Sequence, residues 1–134
     1  GEAAALLGVP REEVEASRLA QVRRLAETFS ATALLKGSTT LVADPSGAPV
    51  RVNATGTGWL ATAGSGDVLS GLAGALLASG LLPRDAASVA AYLHGLAARL
   101  ASSRAERAMA PVSAMDVAGA LPEAWRNVRA EAAR

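Results

Sequence analysis

Between Arg51 and Arg84 the chain carries a single charged side chain, Asp67. It closes the stretch Asn53-Ala-Thr-Gly-Thr-Gly-Trp-Leu-Ala-Thr-Ala-Gly-Ser-Gly-Asp67 and stands where an apolar run opens with Val68-Leu69. Glycines on both sides of Ser65 make this a turn, and the apolar run behind it reads as a helix. A glycine-rich turn that opens a helix offers free backbone N–H groups and the positive end of the helix dipole, a combination suited to phosphate. A carboxylate in that first turn is favoured as an anion and lies beside whatever the turn holds.

The rest of the composition limits what can surround this turn. With 134 residues the chain is one domain or part of one. Apolar residues make up 51%, yet aromatics only 3%, so close helix packing through Ala, Leu and Val is expected. Thirteen basic and twelve acidic residues give a net charge of +1, which points to neither nucleic acid nor an anionic membrane. The uncharged runs flanking Asp67 are rich in Gly, Ser and Thr and fall short of the ~20 apolar residues a membrane span needs. No cysteine is present, which fits a reducing compartment, and a cytoplasmic protein is expected.

In chain order, Glu2 to Leu7 predicts a short helix ended by Gly8. A second helix is expected from Pro10 to Phe29, with Val14, Leu19, Val22, Leu25, Ala26 and Phe29 on its packed face and Arg18, Arg23, Arg24 and Glu27 opposite. Thr32-Ala-Leu-Leu is a short buried strand that ends in Lys36-Gly37. Thr39 to Ala43 and Pro49 to Asn53 are two more strands, and Asp44-Pro-Ser-Gly47 between them predicts a hairpin. Helices are then expected over roughly 67–78, closed by Gly80, and 85–108, broken by Pro111. Ser113 and Asp116 form a capping-box pattern for the next helix, with Pro122 dividing it from a last one that carries Leu121, Trp125 and Val128.

Two features can carry chemistry. The cradle Gly64-Ser65-Gly66 with Asp67 would hold phosphoryl oxygens on the N–H groups of Ser65, Gly66 and Asp67 while Asp67 accepts a proton from a substrate hydroxyl. The plainer alternative is a tight turn with Asp67 capping a helix. Against it stand the cost of an idle carboxylate in apolar surroundings and the long polar lead-in of Asn53, Thr55, Gly56 and Gly58. Lys36, the only lysine, ends a strand, where ligands bind in open α/β sheets; it is either a phosphate contact, with Ser38 and Thr40 lining a pocket, or an ordinary exposed strand-end residue. His94 reads as a packed structural histidine. Gly71, Gly74 and Ala75 suggest close helix–sheet packing. Trp59 has a ring able to stack on a base, but its place beside Leu60 favours the core. No cysteine–histidine cluster for a metal is visible, so none is assigned to the protein, and Mg²⁺ would arrive with a nucleotide.

Taken together, Lys36-Gly37-Ser38-Thr39-Thr40 and Asn53-x-Thr-Gly56-x-Gly58-x-Leu-Ala61-Thr-Ala-Gly64-Ser65-Gly66-Asp67-Val68-Leu69-x-Gly71 resemble the ADP/ATP-dependent NAD(P)H-hydrate dehydratases. Gly1-Glu2 and Tyr92-Leu93-His94-Gly95 extend the likeness over essentially all 134 residues. The resemblance implies a ribokinase-like, three-layer α/β fold around a central, mostly parallel sheet. It also implies a lyase that repairs NADH or NADPH hydrated on the nicotinamide ring, with ADP or ATP as co-substrate. Lys36, Gly37, Ser38, Thr39, Thr40 and Gly66 would contact the adenine nucleotide. Asp67 would bind the hydrate and act as base on its ring hydroxyl, whose phosphorylation makes it a leaving group.

Three strands followed by a helical tail make a thin sheet, and the chain opens on Gly1-Glu2 without the Thr-Pro-His segment that precedes it in the family. The expectation is therefore that residues 1–134 are the C-terminal portion of one such domain, its N-terminal half missing. Such a piece would be weakly active or inactive alone, and would work within a homo-oligomer, a tetramer at full length. The alternatives are a ribokinase-like small-molecule kinase that keeps the phosphate on its product, and a non-catalytic nucleotide-binding module.

Overall fold

A computed structural model describes residues 1–103 and 110–134. Helices α1 (Glu2–Leu7), α2 (Arg11–Ala16) and α3 (Arg18–Phe29) lead into strands β1 (Ala33–Leu35), β2 (Thr40–Ala43) and β3 (Arg51–Asn53). A 3₁₀ turn at Gly58–Leu60 precedes helices α4 (Ser65–Ala78), α5 (Pro83–Ser103) and α6 (Ala114–Ala132). The expected continuation of α5 to Ala108 lies outside the described residues.

The expected helix from Pro10 to Phe29 is two helices. Ser17 leaves helical geometry at φ −138°, ψ 45°, and its Oγ donates to the Glu13 carbonyl at 2.9 Å. A serine hydroxyl that bonds four residues back competes with the helix for that carbonyl. The break makes Arg18 the first residue of α3. Pro122, by contrast, does not divide α6. It lies on the exposed side of the helix, where water can satisfy the carbonyl that a proline leaves without an amide partner. The capping box forms as expected, with Ser113 N donating to Asp116 Oδ2 at 2.8 Å and Asp116 N to Ser113 Oγ at 3.2 Å.

The sheet runs β1-β2-β3, and both pairs are antiparallel, with Leu34 opposite Val42 and Leu41 opposite Val52. The mostly parallel sheet is therefore not what the described residues form. Residues 36–39 and 44–50 connect the strands, and connections this short can only reverse the chain; a parallel pair needs a crossover of about a dozen residues. In the second connection Asp44 Oδ1 accepts from Ser46 N at 3.0 Å, and Gly47 takes φ +76°. The hairpin expected at Asp44-Pro-Ser-Gly is therefore present.

Helices α1 to α3 pack on the sheet through Ala4, Val14, Val22, Ala26, Leu35, Leu41 and Ala43. Helix α5 forms the spine of the other half. It buries Leu93, Ala97 and Ala98 against Val117, Ala120 and Ala124 of α6, and Ala86 and Ala90 against Leu69 and Leu76 of α4. An alanine methyl buries little area, each worth under about 1 kcal/mol, so cohesion here depends on many close backbone approaches. Gly71 and Gly74 play no part in this. A Cβ at either would meet open space, so the close packing expected of them is absent among the described residues. Gly80 does end α4, at φ +97° with its N–H on the Leu77 carbonyl at 3.0 Å.

Candidate active site

Gly64 opens α4 as its N-cap at φ +80°, a left-handed conformation that glycine adopts without the penalty of a Cβ. The turn then tightens on itself. Ser65 N donates to Thr62 O at 3.3 Å, while Asp67 N and Val68 N donate to Gly64 O at 3.1 and 3.2 Å. Two of the three N–H groups expected to face a phosphate thus close the turn. The Gly66 N–H is in neither of these bonds, and Gly66 lines a cavity of about 420 Å³ together with Asp67 and Lys36.

Ser65 is 1% exposed, and its Oγ donates to the Leu60 carbonyl at 2.7 Å. That carbonyl also accepts from Lys36 Nζ at 3.2 Å. One oxygen of the 3₁₀ turn therefore ties the strand-end lysine to the turn that carries Asp67. Ser65 is a buried strut of the turn and presents no hydroxyl to the cavity.

Asp67 itself is exposed at the third position of α4. In the folded chain Asp67 is not a costly carboxylate among apolar groups, because its apolar sequence neighbours point elsewhere around the helix. The capping alternative fails too. Asp67 makes no capping bond, unlike Asp116 at the equivalent position of α6, and it has no ion pair among the described residues. Its carboxylate is available to an outside partner at the positive end of a helix.

The other expected contacts separate. Lys36 is half-buried beside the cavity, Ser38 is exposed on the neighbouring loop, and Thr40 is 6% exposed within β2, paired with Asn53. Gly37 and Thr39 face Arg18, whose Nη2 donates to the Thr39 carbonyl at 2.9 Å. Gly56 sits against the same loop, since a Cβ there would lie 3.0 Å from Ser38 O. Trp59 remains 38% exposed while Leu60 takes the core position. Glu2, part of the weakest stretch of the sequence likeness, lines the same cavity as Asp67. No group of three or more His, Asp or Glu side chains able to hold a metal ion occurs among the described residues. A Mg²⁺ ion, which takes most of its ligands from water and phosphate, needs no such group to accompany a nucleotide.

His94 is 2% exposed, and its Nε2 has no hydrogen-bond partner among the described residues. Burial pushes its pKa below the ordinary 6.5; hydrogen bonding to the Ser65 backbone counters this in part, and the charge of Lys36 adds to the lowering. The folded chain thus holds a neutral imidazole under the turn. As pH falls, the unfolded chain takes up this proton first, so His94 favours folding fully above its ordinary value and loses that contribution below it. The unfolding temperature is expected to drop as pH falls below about 6.5, and His94→Gln should flatten that slope. An equal slope in the variant would remove His94 as the cause.

The site is thus an unpaired carboxylate on a glycine-opened helix of an α/β chain, with the first turn of that helix tied to a strand-end lysine through the Leu60 carbonyl. Residues 1–119 match the family model described as NAD(P)H-hydrate dehydratase, and the chain belongs to that family. It is 49% identical over 113 residues to the bifunctional NAD(P)H-hydrate repair enzyme Nnr of Mycobacterium leprae, covering 84% of this chain and 23% of that one. It is 52% identical over 97 residues to the ADP-dependent (S)-NAD(P)H-hydrate dehydratase of Neisseria meningitidis, covering 72% and 32%. The crystal structure of the Bacillus subtilis ADP/ATP-dependent NAD(P)H-hydrate dehydratase, co-crystallised with ATP/Mg²⁺, superposes with a TM-score of 0.79 at 32% identity. That match covers 90% of this chain and 42% of the other. The chain thus spans a quarter to a third of these curated relatives and under half of the solved structure.

Proposed function

We propose that this chain supplies the nucleotide loop and the general base of an ADP- or ATP-dependent dehydratase acting on hydrated NADH or NADPH. The observation that carries the reading is the free Asp67 carboxylate, placed with Gly66 and Lys36 on one cavity. Asp67 takes the proton of the ring hydroxyl as the hydroxyl oxygen attacks the terminal phosphorus of the nucleotide, and the bridging P–O bond breaks to release AMP or ADP. The phosphate ester formed is a good leaving group, and its loss with a ring proton restores the double bond. Lys36 and the Gly66 amide stabilise the charge that develops on the transferring group. Gly37, Ser38 and Thr39 hold the remainder of the nucleotide. Mg²⁺, when bound, neutralises phosphate charge.

Within this reading the unit belongs to a ribokinase-like domain, and the three antiparallel strands are one part of its sheet. A homo-oligomer is part of the same proposal, supported by exposed apolar side chains such as Leu82 and Met115, at 70% and 77%. A cytoplasmic setting fits a chain without cysteine. No helix of the described residues is long and apolar enough to cross a membrane.

The test supplies hydrated NADH with ADP or ATP and follows the absorbance of reduced nicotinamide, while calorimetry measures nucleotide affinity directly. Saturable nucleotide binding with nucleotide-dependent recovery of the absorbance is expected. A phosphorylated product that persists would instead identify a kinase, and no binding of either nucleotide would refute the reading.

A further inference from the structure

Arg18 was expected on the outer face of a helix among other arginines, yet its side chain is only 24% exposed. Its Nη2 donates to three backbone carbonyls of one loop: Thr39 O at 2.9 Å, Leu35 O at 3.3 Å and Lys36 O at 3.4 Å. Its only ion pair among the described residues is a 3.4 Å contact from Nη1 to Glu15, which is 54% exposed and so offsets little of the charge. The guanidinium therefore sits inside the bend of the loop that joins β1 to β2, far in sequence from its own helix.

Gly37 shows what this arrangement demands. Its φ is not in the left-handed region, so the backbone alone would accept alanine. A Cβ there would, however, lie 2.6 Å from Arg18 Nη2 and 3.0 Å from its Cζ. An alanine methyl would therefore take the space the guanidinium fills and push that group out of the bend. The peptides of this loop are trans, and in a trans peptide the carbonyl and the following N–H point opposite ways. With the Leu35 and Lys36 carbonyls turned onto Arg18, the N–H groups of Lys36 and Gly37 face away from it.

We propose that Arg18 is the positioning residue of the nucleotide loop. By collecting the carbonyls of Leu35, Lys36 and Thr39 on one nitrogen, it turns the loop's amide donors outward and adds a partly buried positive charge behind them, as an anionic ligand requires. The inference rests on the nucleotide reading given above.

The test is a double-mutant cycle in the full chain, using Arg18→Gln, Gly37→Ala and the pair, with Arg18→Lys as the conservative variant. ADP and ATP affinities come from calorimetry and stability from urea unfolding. Arg18→Gln is expected to weaken both nucleotides about tenfold, the loss of a charge-assisted contact network. Arg18→Lys should recover most of this, because a single ammonium nitrogen carries three donors. Gly37→Ala, by displacing the guanidinium, should weaken binding to a similar degree alone and by no more than about twofold in the Arg18→Gln background.

Affinity unchanged in Arg18→Gln, or an equal cost of Gly37→Ala in both backgrounds, would overturn the proposal. So would an affinity loss that merely follows a loss of folded protein. If the unsubstituted chain binds neither nucleotide, the nucleotide assignment falls and takes this role with it. The unfolding data then tell the two failures apart: coupling between the substitutions would leave Arg18 a structural clamp only, and its absence would refute the clamp itself.

Discussion

Asp67→Asn is expected to lower the nucleotide-dependent recovery of reduced nicotinamide by about 10²- to 10⁴-fold, the usual worth of a positioned general base. The side chain keeps its shape and its place at the third position of α4, so the helix should form as before. Nucleotide affinity should stay within a few-fold, because the Gly66 amide, Lys36 and the loop at 37–39 are untouched. The separation of the two effects is the informative part. Asp67 makes no capping bond in α4, so removing its charge has no structural route to a large loss of rate. Turnover within a few-fold of the unsubstituted chain would exclude Asp67 as the base. A collapse of affinity together with rate would make it a binding group.

Gly95→Ala is expected to destabilise the fold by about 1–3 kcal/mol even though alanine is the better helix former by about 1 kcal/mol. A Cβ at position 95 would lie 2.7 Å from the Thr55 carbonyl carbon and 2.8 Å from Gly56 N. Both are backbone atoms, and neither can swing aside as a side chain does. The loop would have to lift, straining the Asn53 Nδ2 bond to Ala91 O and the Thr55 Oγ1 bond to Tyr92 O, now 3.1 and 3.2 Å. Urea unfolding measures the outcome. An unchanged or higher midpoint would mean that the loop yields freely and that helix propensity decides the sign.

Much of the site was legible because its signals are local. Glycines around Ser65, a carboxylate at a helix start and a lysine at a strand end are patterns of adjacent residues, and folding left them where they were read. The hairpin and the Ser113–Asp116 cap were legible for the same reason. Arg18 was not. Its acceptors are backbone carbonyls of residues 35–39, and a helical wheel shows only that an arginine opposes the apolar stripe. The helix break at Ser17 and the glycine after Lys36 were the available hints, and both require knowing what lies opposite.

Asp67 shows the converse error. Apolar neighbours along the sequence were taken as its surroundings, but successive residues of a helix point about 100° apart, and the carboxylate faces outward. The sheet direction was in principle readable, since four residues between β1 and β2 leave no room for a crossover.

Residues 54–57 form no regular element of their own, yet Arg99 Nε donates to the Thr55 carbonyl at 2.6 Å and its Nη2 to the Gly56 carbonyl at 3.3 Å. Asn53 and Thr55 reach back to carbonyls of the same helix, and Gly95 removes the last atom that would hold the two surfaces apart. Loops usually open at little free-energy cost, independently of the core they connect. This one has no such freedom, because lifting it means breaking its bonds to the central helix. The segment that leads along the chain to the Asp67 turn therefore shares the cooperative unfolding of α5, and the stability of the hydrophobic core sets how rarely it comes apart.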